Sequence, residues 1–395
     1  MTSYDQDYGQ PQTADLTTGA RVREPSLPPL TRLVTPSIEA LRAYPPGRPW
    51  RQVSRDLGIS ESELLMLAAN ENVLGPSPRA VQAAERVLKE AHLYPDGACH
   101  ELKAALATKL GVQPERLVIG NGSNEIIELL VRTFVGPDQT VVSAWPSFVV
   151  YRLATQAQDR EAILAPLYRD RYDLAGLAAL VDHRTKLVFI ANPNNPTGTY
   201  VTKRELAAFL ARIPRSVIVV LDEAYFEYVE APDYPSGLTE FPDRARLVVL
   251  RTFSKAHGLA GLRVGYGVMD PELVDYLDRV RQPYNVSVVA QAAALAALTD
   301  DAHVEKSKRL ARDGMKQLEK GFHKLGLSWV PSQANFVVVR LPIEGVAVQA
   351  ELKKRGILVR AMNGYGIPDS VRITIGTPAM NERVLAALGD IVGRR

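Results

Sequence analysis

Lys255 stands in the stretch RTFSKAHGLAGLRVGY, residues 251–266, flanked by Ser254 and Ala256 and followed by Gly258, Ala260 and Gly261. A solvated surface lysine needs no such neighbours. Small residues let the backbone approach a bulky ligand, Ser254 offers a hydroxyl to a phosphate, and Arg263 supplies the two-pronged donor that suits one. Upstream, VIVVLDEAYFEY (217–228) ends an apolar run in Asp222 and Glu223. A carboxylate there is costly to desolvate unless it meets a cation or donors, such as a protonated ring nitrogen or a basic side chain. Tyr225 offers a phenol to the same ligand. In ANPNNPTGT (191–199) the Asn, Pro and Gly residues spell a rigid turn that would present an asparagine amide. In GNGSNE (120–125), Ser123 and Asn124 open a helix whose free N–H groups favour an anion. Glu125 replaces the third glycine of a dinucleotide fingerprint, so that reading fails.

Each piece alone has an ordinary explanation: a capped helix start, a tight turn, a strand-end cap, a loop lysine. In this order they fit one chemistry. A lysine that forms a Schiff base, with an acid for a pyridinium nitrogen and an anion loop, is the binding logic of pyridoxal 5′-phosphate (PLP).

The elements that must position these residues are legible as patterns. Short β-branched runs at 116–120, 139–144, 186–191, 216–222, 246–252 and 263–268 alternate with helical patterns such as 124–134 and 203–213. This predicts a mostly parallel sheet covered by helices on both faces, with ligands beyond the carboxyl ends of the strands. After residue 283 a long helical region over 287–324 leads to short strands in LSWV, ANFVVVR, RGILVRA and SVRITIG and a last helix over 378–391, the pattern of a smaller α/β domain. The expected division is a mobile extension at 1–35, a large domain at 76–283, and a small domain made of 36–75 with 284–395.

Composition narrows the class further. The 395 residues are 46% hydrophobic and 23% charged, which fits a soluble globular protein with a sizeable core. A net charge of +3, with no basic tail or stripe, argues against a nucleic-acid partner. Cys99 is the only cysteine, so no intramolecular disulfide or CxxC site exists, and the six histidines form no HExxH pair; no metal site is expected. The first 30 residues lack an apolar segment and carry Asp5, Asp7 and Asp15, which argues against a secretory or transit peptide. The most apolar run, 286–298, is too short to span a bilayer. The expected location is the cytoplasm, away from membranes.

From about residue 37 to the end the chain resembles the fold-type I PLP-dependent aminotransferases. The pieces that carry this are GNGSNEIIELL, ANPNNPTGT, DEAYFEY, RTFSKAHGLAGLRVGY and ANFVVV. AYPPGRPW, LAANENVLGPSP, LYPDG, RQPYNVS and GYGIPDSVRITIGT resemble the histidinol-phosphate aminotransferase subfamily. The resemblance implies an aspartate aminotransferase-like fold. It implies that Lys255 binds PLP covalently and moves the substrate proton, that Asp222 pairs with the ring nitrogen, and that Asn195 and Tyr225 contact the phenolic oxygen. Ser123, Asn124, Ser254 and Arg263 would surround the phosphate, and Phe148 would stack on the ring. Tyr94 would reach the phosphate of a neighbouring subunit, which implies a homodimer with shared active sites. Arg372 would bind substrate carboxylate, and Tyr44 and Arg360, with Asn195 beside them, would contact the phosphorylated substrate. The implied partners are a small-molecule amino donor and a 2-oxo acid. The implied reaction converts histidinol phosphate and 2-oxoglutarate to imidazole acetol phosphate and glutamate, as in histidine biosynthesis. Related aromatic aminotransferases and a threonine-phosphate decarboxylase share several pieces, so those substrates stay open. Val73 departs from the family's usual proline after Asn-Glu-Asn, near the substrate mouth.

Overall fold

The computed structural model describes residues 33–41, 49–242 and 244–393. Tyr44 and most of the expected extension lie outside the described residues. The strands are β1 (Leu65–Met66), β2 (Leu117–Gly120), β3 (Thr140–Trp145), β4 (Glu161–Pro166), β5 (Thr185–Ala191), β6 (Ile218–Asp222), β7 (Leu247–Thr252) and β8 (Gly265–Val268), then β9 (Trp329–Val330), β10 (Phe336–Arg340), β11 (Ile357–Leu358), β12 (Arg360–Ala361) and β13 (Ser370–Thr374). The helices that matter below are α1 (Pro78–Val87), α2 (His100–Leu110), α3 (Gly122–Phe134), α4 (Val149–Ala157), α5 (Lys203–Arg212), α6 (Val288–Leu298) and α7 (Asp301–Lys324).

Seven strands form the central sheet in the order β2-β8-β7-β6-β5-β3-β4. All its pairs are parallel except those of β8, which runs antiparallel to β2 and β7. β2, β6, β7 and β8 are buried along their whole length, which is why they read as unbroken apolar runs. Strand β4 escaped the sequence reading because it is the sheet edge, mostly half-exposed and closed by Pro166, so it lacks the apolar signature of its neighbours. Helix α5 starts where its sequence says it must: Thr202 accepts from the Glu205 N–H while the Glu205 carboxylate accepts from the Thr202 N–H.

A second, four-stranded antiparallel sheet has the order β12-β13-β10-β9, and β1 pairs in parallel with β11. Its apolar core includes Phe322, Phe336, Val337 and Ile373, and Tyr225, Tyr228 and Ala256 join it from the segments beside the large sheet. The expected single helical region over 287–324 is two helices, because Asp300 caps α7 by accepting from the His303 N–H. Helix α6, assigned by sequence to the small domain, packs instead on α1 and α2. Its Ala290, Ala293, Ala294 and Ala297 share a core with Leu117, Ile119 and Phe253. The boundary expected at 283/284 therefore does not fall at a change of packing; small alanine side chains permit this close helix contact and hide it from a pattern search.

The two sheets are tied at several points. Arg340 of β10 gives two 2.8 Å hydrogen bonds to the Asp170 carboxylate. The Gln333 N–H donates to the Gly198 carbonyl, and its side-chain oxygen accepts from the N–H groups of Glu230 and Ala231. Gly258, three residues after Lys255, lies directly on the backbone of Gly75. At φ +72° a Cβ there would come within 2.2 Å of the Gly75 carbonyl oxygen. Gly58, at φ +66°, meets nothing within 4 Å. Gly58→Ala should cost about 1–2 kcal/mol, the strain of a left-handed backbone alone. Gly258→Ala adds a clash between two backbones and should cost about 3 kcal/mol or more. Urea denaturation of the two variants measures the difference; equal losses would contradict the close contact.

Candidate active site

One cavity of about 520 Å³ opens where the carboxyl ends of the large sheet's strands face the small sheet. Ser123, Asn124, Phe148, Asn195, Asp222, Tyr225, Ser254, Lys255, Arg263, Arg360 and Arg372 all line it. These side chains come from segments spread over 250 positions, and the strand ends bring them together.

Lys255 follows β7 in a loop. Its amine donates to the carbonyls of Ala69 (3.2 Å) and Asn70 (3.3 Å), and it sits 5.6 Å from the centre of the Tyr225 ring. Burial, then the positive charges of Arg372 and Arg263, push its pKa down to about 8, against the pull of Glu71 and Asp222. An amine so placed is largely deprotonated not far above neutral pH, the state a nucleophile or general base needs.

Asp222 ends β6 and is 4% exposed. Burial raises its carboxyl to about 6, although hydrogen bonds from the Tyr151 hydroxyl (2.7 Å, to Oδ2) and the Ala224 N–H (3.2 Å, to Oδ1) oppose the rise. A protonated ring nitrogen would supply the cation this carboxylate lacks. Tyr225, also buried, accepts at its hydroxyl from the Asn70 amide (2.9 Å), and burial lifts its pKa to about 12. It is a neutral donor at any working pH.

An anion cradle lies at one end of the cavity. Helix α3 begins at Gly122, with Ser123 buried in its first turn. The Arg263 guanidinium rests on Gly122, so that a Cβ at Gly122 would lie 2.6 Å from Nη2. Arg263 also reaches the Ser254 hydroxyl (3.4 Å) and the Ala260 carbonyl (3.1 Å). A helix N-terminus, two hydroxyls and a guanidinium fit a phosphate. With Lys255 and Asp222 in the same cavity, this donor set fits a phosphorylated pyridine aldehyde.

At the other end, Arg360 of β12 lies directly opposite Arg372 of β13 in the antiparallel register. Arg372 is held by the Asn195 side-chain oxygen (2.5 Å) and the Ala68 carbonyl (2.9 Å), over the face of Phe336. Like charges set directly opposite one another are unfavourable in a sheet, and an anion bound between them would relieve the pair.

Tyr94 is not in this cavity. It is 82% exposed and stacks on Tyr284 with ring centres 4.6 Å apart. The sequence reading missed Tyr151 on Asp222, the Ala69–Asn70 carbonyls that hold Lys255, and Tyr365, which lines the cavity. Tyr151 was the most accessible of these, three residues beyond Phe148 and thus on the same side of α4. Among the described residues no group of His, Cys, Asp and Glu could hold a metal, and no helix is long and apolar enough to cross a membrane.

The fold matches that of a Thermus thermophilus aspartate aminotransferase variant, with a TM-score of 0.78 and 23% identity over 91% of this chain and 99% of the other. A histidinol-phosphate aminotransferase from Sinorhizobium meliloti, solved with pyridoxal-5′-phosphate, superposes with a TM-score of 0.83 and 29% identity over 91% and 97% of the two chains. The family Aminotransferase class I and II matches residues 62–388, and the chain belongs to it. A histidinol-phosphate aminotransferase of Anaeromyxobacter sp. is 50% identical over 363 residues, 91% of this chain and 99% of that one. One of Moorella thermoacetica is 47% identical over 357 residues, 90% and 92% of the two chains.

The amine of Lys255 gives a direct test of the electrostatics. In the cofactor-free protein the rate of its acylation follows the neutral fraction, so it should rise with pH and reach half its maximum at about 8. Mass-spectrometric mapping against pH measures this, with Lys255→Arg as the control. A midpoint near the ordinary 10.5 would refute the burial argument.

Proposed function

We propose that the chain is a PLP-dependent aminotransferase that moves the amino group of histidinol phosphate to 2-oxoglutarate, releasing imidazole acetol phosphate and glutamate. The observation that carries this reading is the cavity itself: a depressed lysine and a buried carboxylate lie between an anion cradle and a facing pair of arginines. The family and the names of the relatives support it.

Ser123, Asn124, Ser254 and Arg263 would hold the cofactor phosphate, with Phe148 against the ring, Asn195 and Tyr225 donating to its phenolic oxygen and Asp222 pairing with its protonated nitrogen. Bound PLP supplies an electron sink for the pair left when a substrate Cα–H bond breaks. Lys255 would hold the cofactor, and its neutral amine would accept the proton from the substrate Cα. Arg372 grips the carboxylate of glutamate or 2-oxoglutarate. A phosphate has more acceptors than one guanidinium fork can satisfy, so Arg360 joins it when histidinol phosphate binds, with Tyr44 as a further donor.

Tyr94 stacks on Tyr284, both rings are exposed, and so are Leu88 and Leu93, which lie close to Tyr94 in the sequence. On this reading two copies pair there and Tyr94 reaches the partner's cofactor phosphate. The protein works in the cytoplasm.

An assay of amino donors with 2-oxoglutarate tests the function. Histidinol phosphate should have the highest kcat/KM, with one 2-oxoglutarate consumed per product. Preference for phenylalanine or tyrosine, or turnover without a 2-oxo acid, would replace this reading with an aromatic aminotransferase or a decarboxylase. Arg360→Ala should cost about 2–3 kcal/mol in kcat/KM for histidinol phosphate and much less for glutamate. Equal losses for both donors would remove its phosphate-selective role. Sedimentation at micromolar concentration should show a dimer; a fully active monomer would refute shared sites.

A further inference from the structure

The Tyr151 hydroxyl donates to Asp222 Oδ2 at 2.7 Å, and this is its one hydrogen bond among the described residues. Tyr151 is 2% exposed and Asp222 4%. The ring is clamped on two sides. It stacks on Phe189 of β5, with centres 4.7 Å apart and planes 6° from parallel, and meets Phe148 edge-on at 5.5 Å and 83°. One side chain thus joins the aromatic wall of the cavity to its buried carboxylate.

The need for such a donor follows from what surrounds Asp222. Its Oδ1 has the Ala224 N–H at 3.2 Å, and no other side chain among the described residues donates to either oxygen. Glu223, the next residue on β6, adds a like charge that disfavours ionisation, whereas Lys255 beyond β7 favours it. Tyr172, Tyr225 and Tyr234 are the other titratable groups that feel the carboxylate, and all three are pushed up by burial and stay neutral. Tyr151 is pushed up too, by burial and then by Asp222 itself, so it remains a donor rather than a rival anion. A carboxylate buried this deeply keeps its charge only if donors hold it.

We propose that Tyr151 is a positioning residue for transamination: its hydroxyl fixes the Asp222 carboxylate, ionised and in one orientation, against the cofactor's ring nitrogen. This rests on the function proposed above. Phe148 and Tyr151, one helical turn apart and in edge-to-face contact, would then act as a unit, one against the ring and the other on the acid that pairs with its nitrogen.

Tyr151→Phe removes the hydroxyl and keeps both ring contacts. In the full-length, cofactor-free protein labelled with 13C-carboxyl aspartate, the Asp222 resonance, assigned with Asp222→Asn, should titrate about one pH unit higher in Tyr151→Phe than in the wild type. In the holoenzyme kcat should fall about tenfold with KM little changed, and Tyr151→Phe should add no further loss to Asp222→Asn. An unmoved midpoint, or losses that multiply in the double variant, would make Tyr151 a packing residue and overturn the proposal. Should Tyr151→Phe fail to fold, 3-fluorotyrosine at position 151 keeps the shape and strengthens the donor; the Asp222 midpoint should then move down, and an unmoved one overturns the proposal. The titration needs neither cofactor nor substrate. Its failure therefore overturns this inference alone, whereas absence of transamination by the wild type overturns the reading on which it rests.

Discussion

A carboxylate buried at the end of an apolar strand is the constraint around which this molecule is arranged. Asp222 closes β6 in the middle of a seven-stranded sheet, where burial outweighs the hydrogen bonds it accepts and lifts it to about 6. Several groups near it compensate. Tyr151 and the Ala224 N–H donate to it, and Lys255 stands within electrostatic reach. Its neighbour Glu223 is handled separately by a fully buried ion pair with Arg251, which donates twice to Oε2 at 3.0 and 2.8 Å while the Gly237 N–H binds Oε1. Two adjacent acids thus receive different treatment: one is neutralised permanently within the protein, and the other is left short of a cation.

That shortage joins the fold to its chemistry. Burial depresses the lysine and raises the acid, so the pocket lining disfavours both charges at once. On the proposed reading, a ligand with a cationic ring nitrogen would relieve Asp222, and its phosphate would offset the positive charge of Arg263 that bears on Lys255. The small sheet supplies a further charge from the other side, with Arg372 braced by the Asn195 side-chain oxygen.

Much of this was written in the sequence. The buried strands announced themselves by unbroken apolar runs, and Lys255, Asp222 and Arg263 by residue types that a core or a plain surface does not explain. What stayed hidden shares a cause. Strand β4 is an edge, α6 is an alanine helix whose packing partner cannot be read from its period, and Tyr151 looks like any core aromatic. Their roles depend on what lies across the fold from them, and no local pattern encodes that. The carbonyls of Ala69 and Asn70, which receive the lysine amine, carry no residue-type signal at all. Tyr94 shows the opposite case: its type was legible, but it stands 82% exposed against Tyr284, outside the cavity of its own chain.

The facing arginines of β12 and β13 have a consequence for how the site tolerates change. The positions of their Cα atoms and the face they share are set by the pairing of two backbones, Arg360 with Arg372 and Ala361 with Val371. Successive residues of a strand point to opposite faces, so a single-residue insertion or deletion before either arginine would turn that guanidinium away from the cavity while leaving a sheet that still pairs. Point substitutions around the pair are absorbed by repacking, but changes of length are not. Over evolutionary time this stretch can drift in composition far more freely than in register.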